Sequence, residues 1–332
     1  MNNNSIKFNN IFLEKSASTV GKKEYEGPLG DRFDCVEEDE YFGCKSFEEA
    51  ESEMVRRNMN ILLGKAKLDF CDIDLITGGD LINQCTATSY AICETNTPFI
   101  GLYGACTTAI ESIICGSVFI QSGFAKRVLG IASSHFCSAE RQYRFPLEYG
   151  SLRTPTSQRT VTGTGAFLIS SKESKIKVKE AVIGRIVDKG VTDANNMGAA
   201  MAGAAVDTIK RYFESSTAKP EDFDIISTGD LGYEGHAIAK ELLKIENIEL
   251  GDRFTDCGIL IYDKNTQDTH SGGSGCGCVG SVTAGHYLRL LEEGEAKNIL
   301  VVATGALLNP NSVFQKRSIP SIAHAIHFST EA

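Results

Sequence analysis

The chain alternates short, almost wholly apolar runs with longer segments whose apolar residues recur at three- and four-residue spacing. Residues 72–81 (DIDLITGGDL) and 222–231 (DFDIISTGDL) are two such runs, matching in register at a separation of 150 residues. Apolar runs led by acidic residues and closed by Gly-Asp predict buried strands that end in a turn. A second pair, 125–134 (AKRVLGIASS) and 296–305 (AKNILVVATG), repeats a charged lead, a buried strand and a small-residue end at a separation of 171. A fainter echo relates SIKFNNIFLEK near residue 5 to KIKVKEAVIGR near residue 175. Between these runs, residues 46–66 and 198–215 have helical period, the second with many small residues for close packing. Each half therefore reads strand, helix, strand, helix, strand. That order predicts an α/β fold with parallel pairing and helices on both sheet faces. Matching segments in the same order predict a duplicated architecture, with an N-terminal half over residues 1–174 and a C-terminal half over 175–332, packed as one unit.

Two small-residue helix starts correspond as well. YGACTTAIESI (103–113) precedes the first 125–134 strand, and GGSGCGCVGSVTAGHYLRLL (272–291) precedes its echo. In a duplicated α/β unit these helices meet near the pseudo-twofold axis, where small residues allow close approach. The first of them delivers Cys106 to a helix N-terminus, a place that offers unpaired N–H groups and partial positive charge. Such a place either lowers a thiol's pKa and makes it a nucleophile or holds an anion.

Composition narrows the choice. The 332 residues carry a net charge of −10, which repels nucleic acid and anionic lipid headgroups, so an anionic ligand must be held by local donors. The N-terminal MNNNSIKFNNIF has no signal-peptide apolar segment, and no run reaches the length of a membrane span. The 11 cysteines, without an export signal, are expected to be reduced thiols. Cys276 and Cys278 are spaced Cys-x-Cys, not the Cys-x-x-Cys of structural zinc, and no metal site or cofactor is expected. Residues 133–160 carry His135, Arg141, Arg144, Arg153 and Arg159 after a central strand. Arginine suits bidentate carboxylate recognition, although several of these are expected to pair with Glu140 or Glu148. His135 is favoured as a pocket residue because it directly follows the strand. The Gly-rich GGSGCGC (272–278) and ATGALLNP (303–310) either expose an anion-binding nest of N–H groups or serve tight packing. Neither is a dinucleotide fingerprint or a P-loop.

A duplicated half with a Cys at the start of its buried helix resembles the thiolase-like superfamily, which includes thiolases and ketoacyl synthases. Within it the chain is most similar to the stage V sporulation AD family of endospore-forming bacteria. The resemblance is carried by GPLGDRFD (27–34), GDLINQ (79–84), GACTTAIES (104–112), GFAKRVLGIASSH (123–135) and AERQYRFPLEYG (139–150). It continues through TVTGTGA (160–166), DTIKRYF (207–213), DCGILIY (256–262), GGSGCGC, VVATGALLNP (301–310) and SIPSIAHAI (318–326). It implies a thiolase-like, five-layered fold of two similar βαβαβ halves related by pseudo-twofold symmetry. It further implies a homodimer, with TPFIGLYG (97–104) supplying the strand at the contact.

In function, the resemblance implies binding of dipicolinic acid (pyridine-2,6-dicarboxylate), free or as its calcium chelate. That ligand would be taken up into the developing spore with membrane-embedded stage V proteins of the same operon. The implied place is the forespore or spore, peripherally at the inner spore membrane, and no catalytic reaction is implied. The ligand-binding candidates are Cys106, Thr107, His135, Arg141, Arg144, Ser274 and Gly305. The alternative is an acyl-thioester condensing or acyl-transfer enzyme with Cys106 as nucleophile and His236 as base; a third reading is a scaffold that binds only proteins. In ketoacyl synthases of one subgroup the helpers of the Cys are a His and an Asn. His236 falls at the first place, but the second falls at Gly273–Ser274, and the thiolase Gly-His-Pro motif is absent. The two main readings differ at the thiol. A dicarboxylate binder keeps Cys106 neutral, because a thiolate would repel the ligand, whereas an enzyme depresses its pKa.

Overall fold

The computed structural model describes residues 5–143 and 153–331. Ten strands form the backbone of one mixed sheet. They are β1 (Phe12–Gly21), β2 (Leu75–Asp80), β3 (Phe99–Gly101), β4 (Arg127–Ser134) and β5 (Gly163–Ser170), followed by β6 (Ile176–Val182), β7 (Ile225–Thr228), β8 (Phe254–Asp256), β9 (Asn298–Ala306) and β10 (Ser321–Ser329). Their order across the sheet is β8-β7-β9-β10-β6-β1-β5-β4-β2-β3. Reading outward from the centre, β1-β5-β4-β2-β3 mirrors β6-β10-β9-β7-β8, which is the pseudo-twofold relation of the two halves. The halves join through two residue pairs between β1 and β6, Phe12 with Lys177 and Leu13 with Ile176.

Helices lie in three layers around this framework. Helix α1 (Phe47–Ala66) begins where the Ser46 hydroxyl accepts from the Glu49 N–H at 3.2 Å. It buries Val55, Met59 and Leu62 against Ile76, Leu129 and Leu168. On the far side, helix α4 (Met197–Ser215) buries a small-residue face, Ala200 to Ala205, against Ile226, Leu300 and Val302. Between the halves lie α2 (Thr108–Gln121) and α6 (Cys276–Val282). Ile110, Ile113, Val279 and Val282 share one core with Val128 and Phe167 of the first half and Val301 and Ile326 of the second. The small residues there are required by space. A Cβ on Gly165 of β5 would lie 2.3 Å from the Gly280 carbonyl oxygen, and one on Gly277 would lie 2.3 Å from the Gly163 carbonyl oxygen. Glycine lets helix and strand backbones touch.

The five-layer α/β arrangement agrees with the sequence reading, but the pairing is not all parallel. β4 runs parallel to β2, and β9 to β7, while β5 and β10 run antiparallel to both of their neighbours. The reason is the connection. A parallel return needs a crossover, usually a helix spanning the sheet, whereas β9 returns to β10 through residues 307–320, whose helix α7 (Pro310–Phe314) is a single short turn. The chain re-enters at the end it left.

Candidate functional site

Cys106 sits in a 3-10 turn, Ala105–Thr107, that feeds α2. The turn is tight. Ala105 adopts a left-handed φ of 52°, and the Thr108 hydroxyl both accepts from the Gly104 N–H and donates to the Ala105 carbonyl. A non-glycine residue in this region is strained by about 1–3 kcal/mol and persists only where its surroundings hold it. Gly275, which precedes Cys276 at the start of α6, also has positive φ, 105°. The two cysteines thus follow equivalent turns in the two halves.

Above Cys106 opens a cavity of about 180 Å³. Its floor includes Ala105, Cys106 and Ser274, and much of its wall is apolar or aromatic, with Leu81, Tyr103, Ala139, Tyr143, Leu308 and Phe314. Polar groups are few: Gln158, Thr160, Asn195, Ser157 and Glu140. The tyrosines are tied together, Tyr103 to Tyr143 through their hydroxyls at 2.6 Å, and Tyr143 to the Leu81 carbonyl. The Gln158 amide donates to the Asp230 carbonyl at 2.6 Å and the Gly273 carbonyl at 3.0 Å, and its own buried Oε1 has no partner among the described residues.

The neighbour of the Cys106 thiol is Asp230, at the end of the second-half Gly-Asp-Leu repeat. Its Oδ1 accepts from the Thr304 hydroxyl at 2.8 Å and its Oδ2 from the Gly275 N–H at 2.9 Å. Burial pushes this carboxyl up to about 7, against the pull of those hydrogen bonds. Burial, then the adjacent carboxylate, push the Cys106 thiol well above the usual thiol range. The other half repeats the theme: Cys276 is raised first by burial and then by Asp80 and Glu51, and its thiol donates to the Ser133 carbonyl at 2.8 Å. Each cysteine therefore faces the repeat aspartate of the opposite half.

Of the residues singled out in the sequence, the structure brings Cys106 and Ser274 together at the cavity. Gly305 packs beneath the turn, where a Cβ would fall 2.2 Å from the Gly104 carbonyl oxygen, so it shapes the site through backbone contact. Thr107 is fully buried outside the cavity lining, and its hydroxyl has no partner among the described residues. The structure places the other described candidates away from the cavity lining. His135 does follow β4, but its ring stacks on Phe47 and its Nε2 meets the Glu40 carbonyl at 2.8 Å; burial lowers its pKa, and it packs behind the wall. Arg141 is half exposed and pairs with Glu48 at 3.2 Å, because helix α3 (Phe136–Tyr143) turns Ala139, Glu140 and Tyr143 toward the cavity instead. His236, on helix α5 (Gly232–Ile245), stacks on Phe254 with ring centroids 4.3 Å apart and does not line the cavity. Arg144 lies outside the described residues.

Asp230, Gln158 and the tyrosine pair are site residues that no sequence motif singles out. For Asp230 a signal existed: the repeat places an acid at the end of equivalent strands, and duplication places each beside the other half's cysteine. Gln158 and the tyrosines gave none, since only tertiary contact assembles them.

The fold is shared with acyl-transfer enzymes of low sequence identity. 3-Oxoacyl-[acyl-carrier-protein] synthase III from Aquifex aeolicus VF5 superposes with a TM-score of 0.58 at 15% identity, covering 96% of this chain and 99% of that one. Acetyl-CoA acetyltransferase from Syntrophomonas wolfei gives 0.60 at 13%, covering 98% and 100%. These likenesses establish the thiolase-like fold alone. Sequence is more specific. Stage V sporulation protein AD of Bacillus subtilis (strain 168) is 42% identical over 318 residues, 96% of this chain and 94% of that protein. The family model for Stage V sporulation protein AD (SpoVAD) matches residues 2–329. A match over nearly the whole length, on a thiolase-like framework with a buried Cys at the expected turn, makes this chain a member of the stage V sporulation protein AD family.

Proposed function

We propose that the protein binds dipicolinic acid, free or as its calcium chelate, for uptake into the developing spore, and that it does so without catalysing a reaction. The observation that carries this reading is the cavity over Cys106: small, walled by aromatic and aliphatic side chains, with a few amide and hydroxyl groups and the Glu140 carboxylate, which pairs with Arg153, among them. A flat aromatic ring with polar ends calls for that combination. The thiol favours a binder too. A nucleophilic cysteine needs a base or a lowered pKa, whereas burial and Asp230 both act to keep Cys106 protonated. His236, the base of the acyl-transfer alternative, is engaged with Phe254.

In this reading the calcium travels on the ligand, and transfer into the spore is completed by membrane-embedded stage V proteins. The protein works peripherally at the inner spore membrane; among the described residues no helix is long and apolar enough to cross a bilayer. Calorimetric titration with pyridine-2,6-dicarboxylate, with and without calcium, tests the reading. Saturable binding is expected, weakened roughly two- to tenfold by Phe314→Ala, which removes one aromatic wall. No heat at any concentration, together with a stable acyl adduct on Cys106 after incubation with acyl-CoA, would replace it with the acyl-transfer reading.

A further inference from the structure

We propose that an anionic ligand enters the Cys106 cavity together with a proton, which the Asp230 carboxyl takes up from bulk solvent. This deepens the binding reading and rests on it.

The argument is geometric. Asp230 is fully buried and lies directly behind the cavity floor. Its backbone carbonyl is held by Gln158, a lining residue, and one carboxyl oxygen by the Gly275 N–H, adjacent to the lining residue Ser274. The groups that face it are Cys106 from the start of α2, Cys276 and Cys278 from α6, Asp256 and Cys257 at the end of β8, and the Thr304 hydroxyl from β9. None of these is a cation, and among the described residues no ion pair reaches Asp230. Among the described residues, two hydrogen bonds and a thiol support it. A carboxylate arriving above Cys106 then meets a second buried carboxylate; Arg153, the cation near the lining among the described residues, is already engaged by Glu140 at 3.9 Å and by the Gln158 carbonyl, and two like charges in one site do not both ionise. The neutral acid form of Asp230 removes the conflict.

The direction of the pH effect follows. Burial already sets the empty-site carboxyl near neutrality, at about 7. Below that range Asp230 is protonated in both free and bound protein, and the affinity is independent of it. Above that range each bound anion draws in a proton, and affinity falls toward a limit of about tenfold per pH unit. Cys106 does not share in this titration, because its thiol stays protonated throughout.

The test is calorimetric titration of the full chain with pyridine-2,6-dicarboxylate at pH 7.5, in buffers of different ionisation enthalpy, repeated between pH 6 and 8.5. Net proton uptake and weakening above neutral pH are expected for the wild type. Asp230→Asn should lose the uptake, and its residual affinity should be flat with pH. Thr304→Val, which removes a donor to the carboxylate, should move the midpoint of the pH profile upward. Wild-type binding without proton uptake overturns the inference while leaving the binding reading intact. Uptake that persists in Asp230→Asn overturns the assignment to this residue. Absence of binding at every pH overturns the binding reading and the inference with it.

Discussion

At the scale of single residues, the site depends on backbones that approach too closely for side chains. Gly305 is the sharpest case. Its missing Cβ leaves room for the Gly104 carbonyl, which is part of the turn that presents Cys106. Gly305→Ala places a methyl group 2.2 Å from that oxygen, and neither partner is a flexible side chain. The expected outcome is a loss of about 1–3 kcal/mol in urea unfolding, typical of overpacking, together with a lower affinity for the dicarboxylate as the turn moves. An alanine variant of unchanged stability would mean that the turn yields freely and that the strained Ala105 is not held by this contact. The same reasoning separates Gly305 from residues such as Arg141, whose exposed ion pair with Glu48 contributes little.

At the scale of elements, helix α1 carries an acid into the core. Glu51 is fully buried, its carboxylate oxygens accepting from the Ser133 hydroxyl at 2.9 Å and the Ser138 hydroxyl at 2.7 Å. Burial, and then the nearby Asp80, raise its pKa. A carboxyl raised on folding binds more protons in the folded state. Its contribution is therefore fully present below the unfolded pKa of about 4.3 and is lost as pH rises through the folded value. Glu51→Gln removes that dependence. The stability difference between variant and wild type should shift in favour of the variant from pH 5 to pH 8, by more than about 1.4 kcal/mol if the shift exceeds about two units. Parallel curves would show that Glu51 is ionised in the folded protein.

Such elements also mark how far the sequence can be read. The repeated strands 72–81 and 222–231, the helical periods and the cysteine turn are local patterns, and each appears as a strand, helix or turn at its place. The direction of β5 and β10 is not local, because it depends on how a connecting segment returns. Neither is the pairing of Cys106 with Asp230, 124 positions away in the chain. In the arginine-rich segment, Arg153 pairs with Glu140 as the composition suggests, but helix phase decides which side chains face the cavity, and in α3 it turns Ala139 and Tyr143 there while Arg141 meets Glu48.

At the scale of the whole molecule, the sheet ends in an edge that invites a partner. β3 pairs with β2 on one side and closes the sheet on the other. Around it Tyr90, Ile100 and Tyr103 are exposed, at 67%, 37% and 46%. Exposed edges of this kind template pairing with another chain unless they are blunted. We propose that a second copy of the chain pairs with β3 about a twofold axis, since a self-complementary strand edge gives a closed isologous dimer. The contact would bear on the site, because Tyr103 follows β3, lines the cavity and hydrogen-bonds Tyr143 across it. Ile100→Lys should convert a species of twice the chain mass to a monomer in sedimentation equilibrium, and should weaken dicarboxylate binding by loosening Tyr103. A wild type that sediments as a monomer would remove the dimer. A monomeric variant with undiminished affinity would leave the dimer but show that each cavity stands alone.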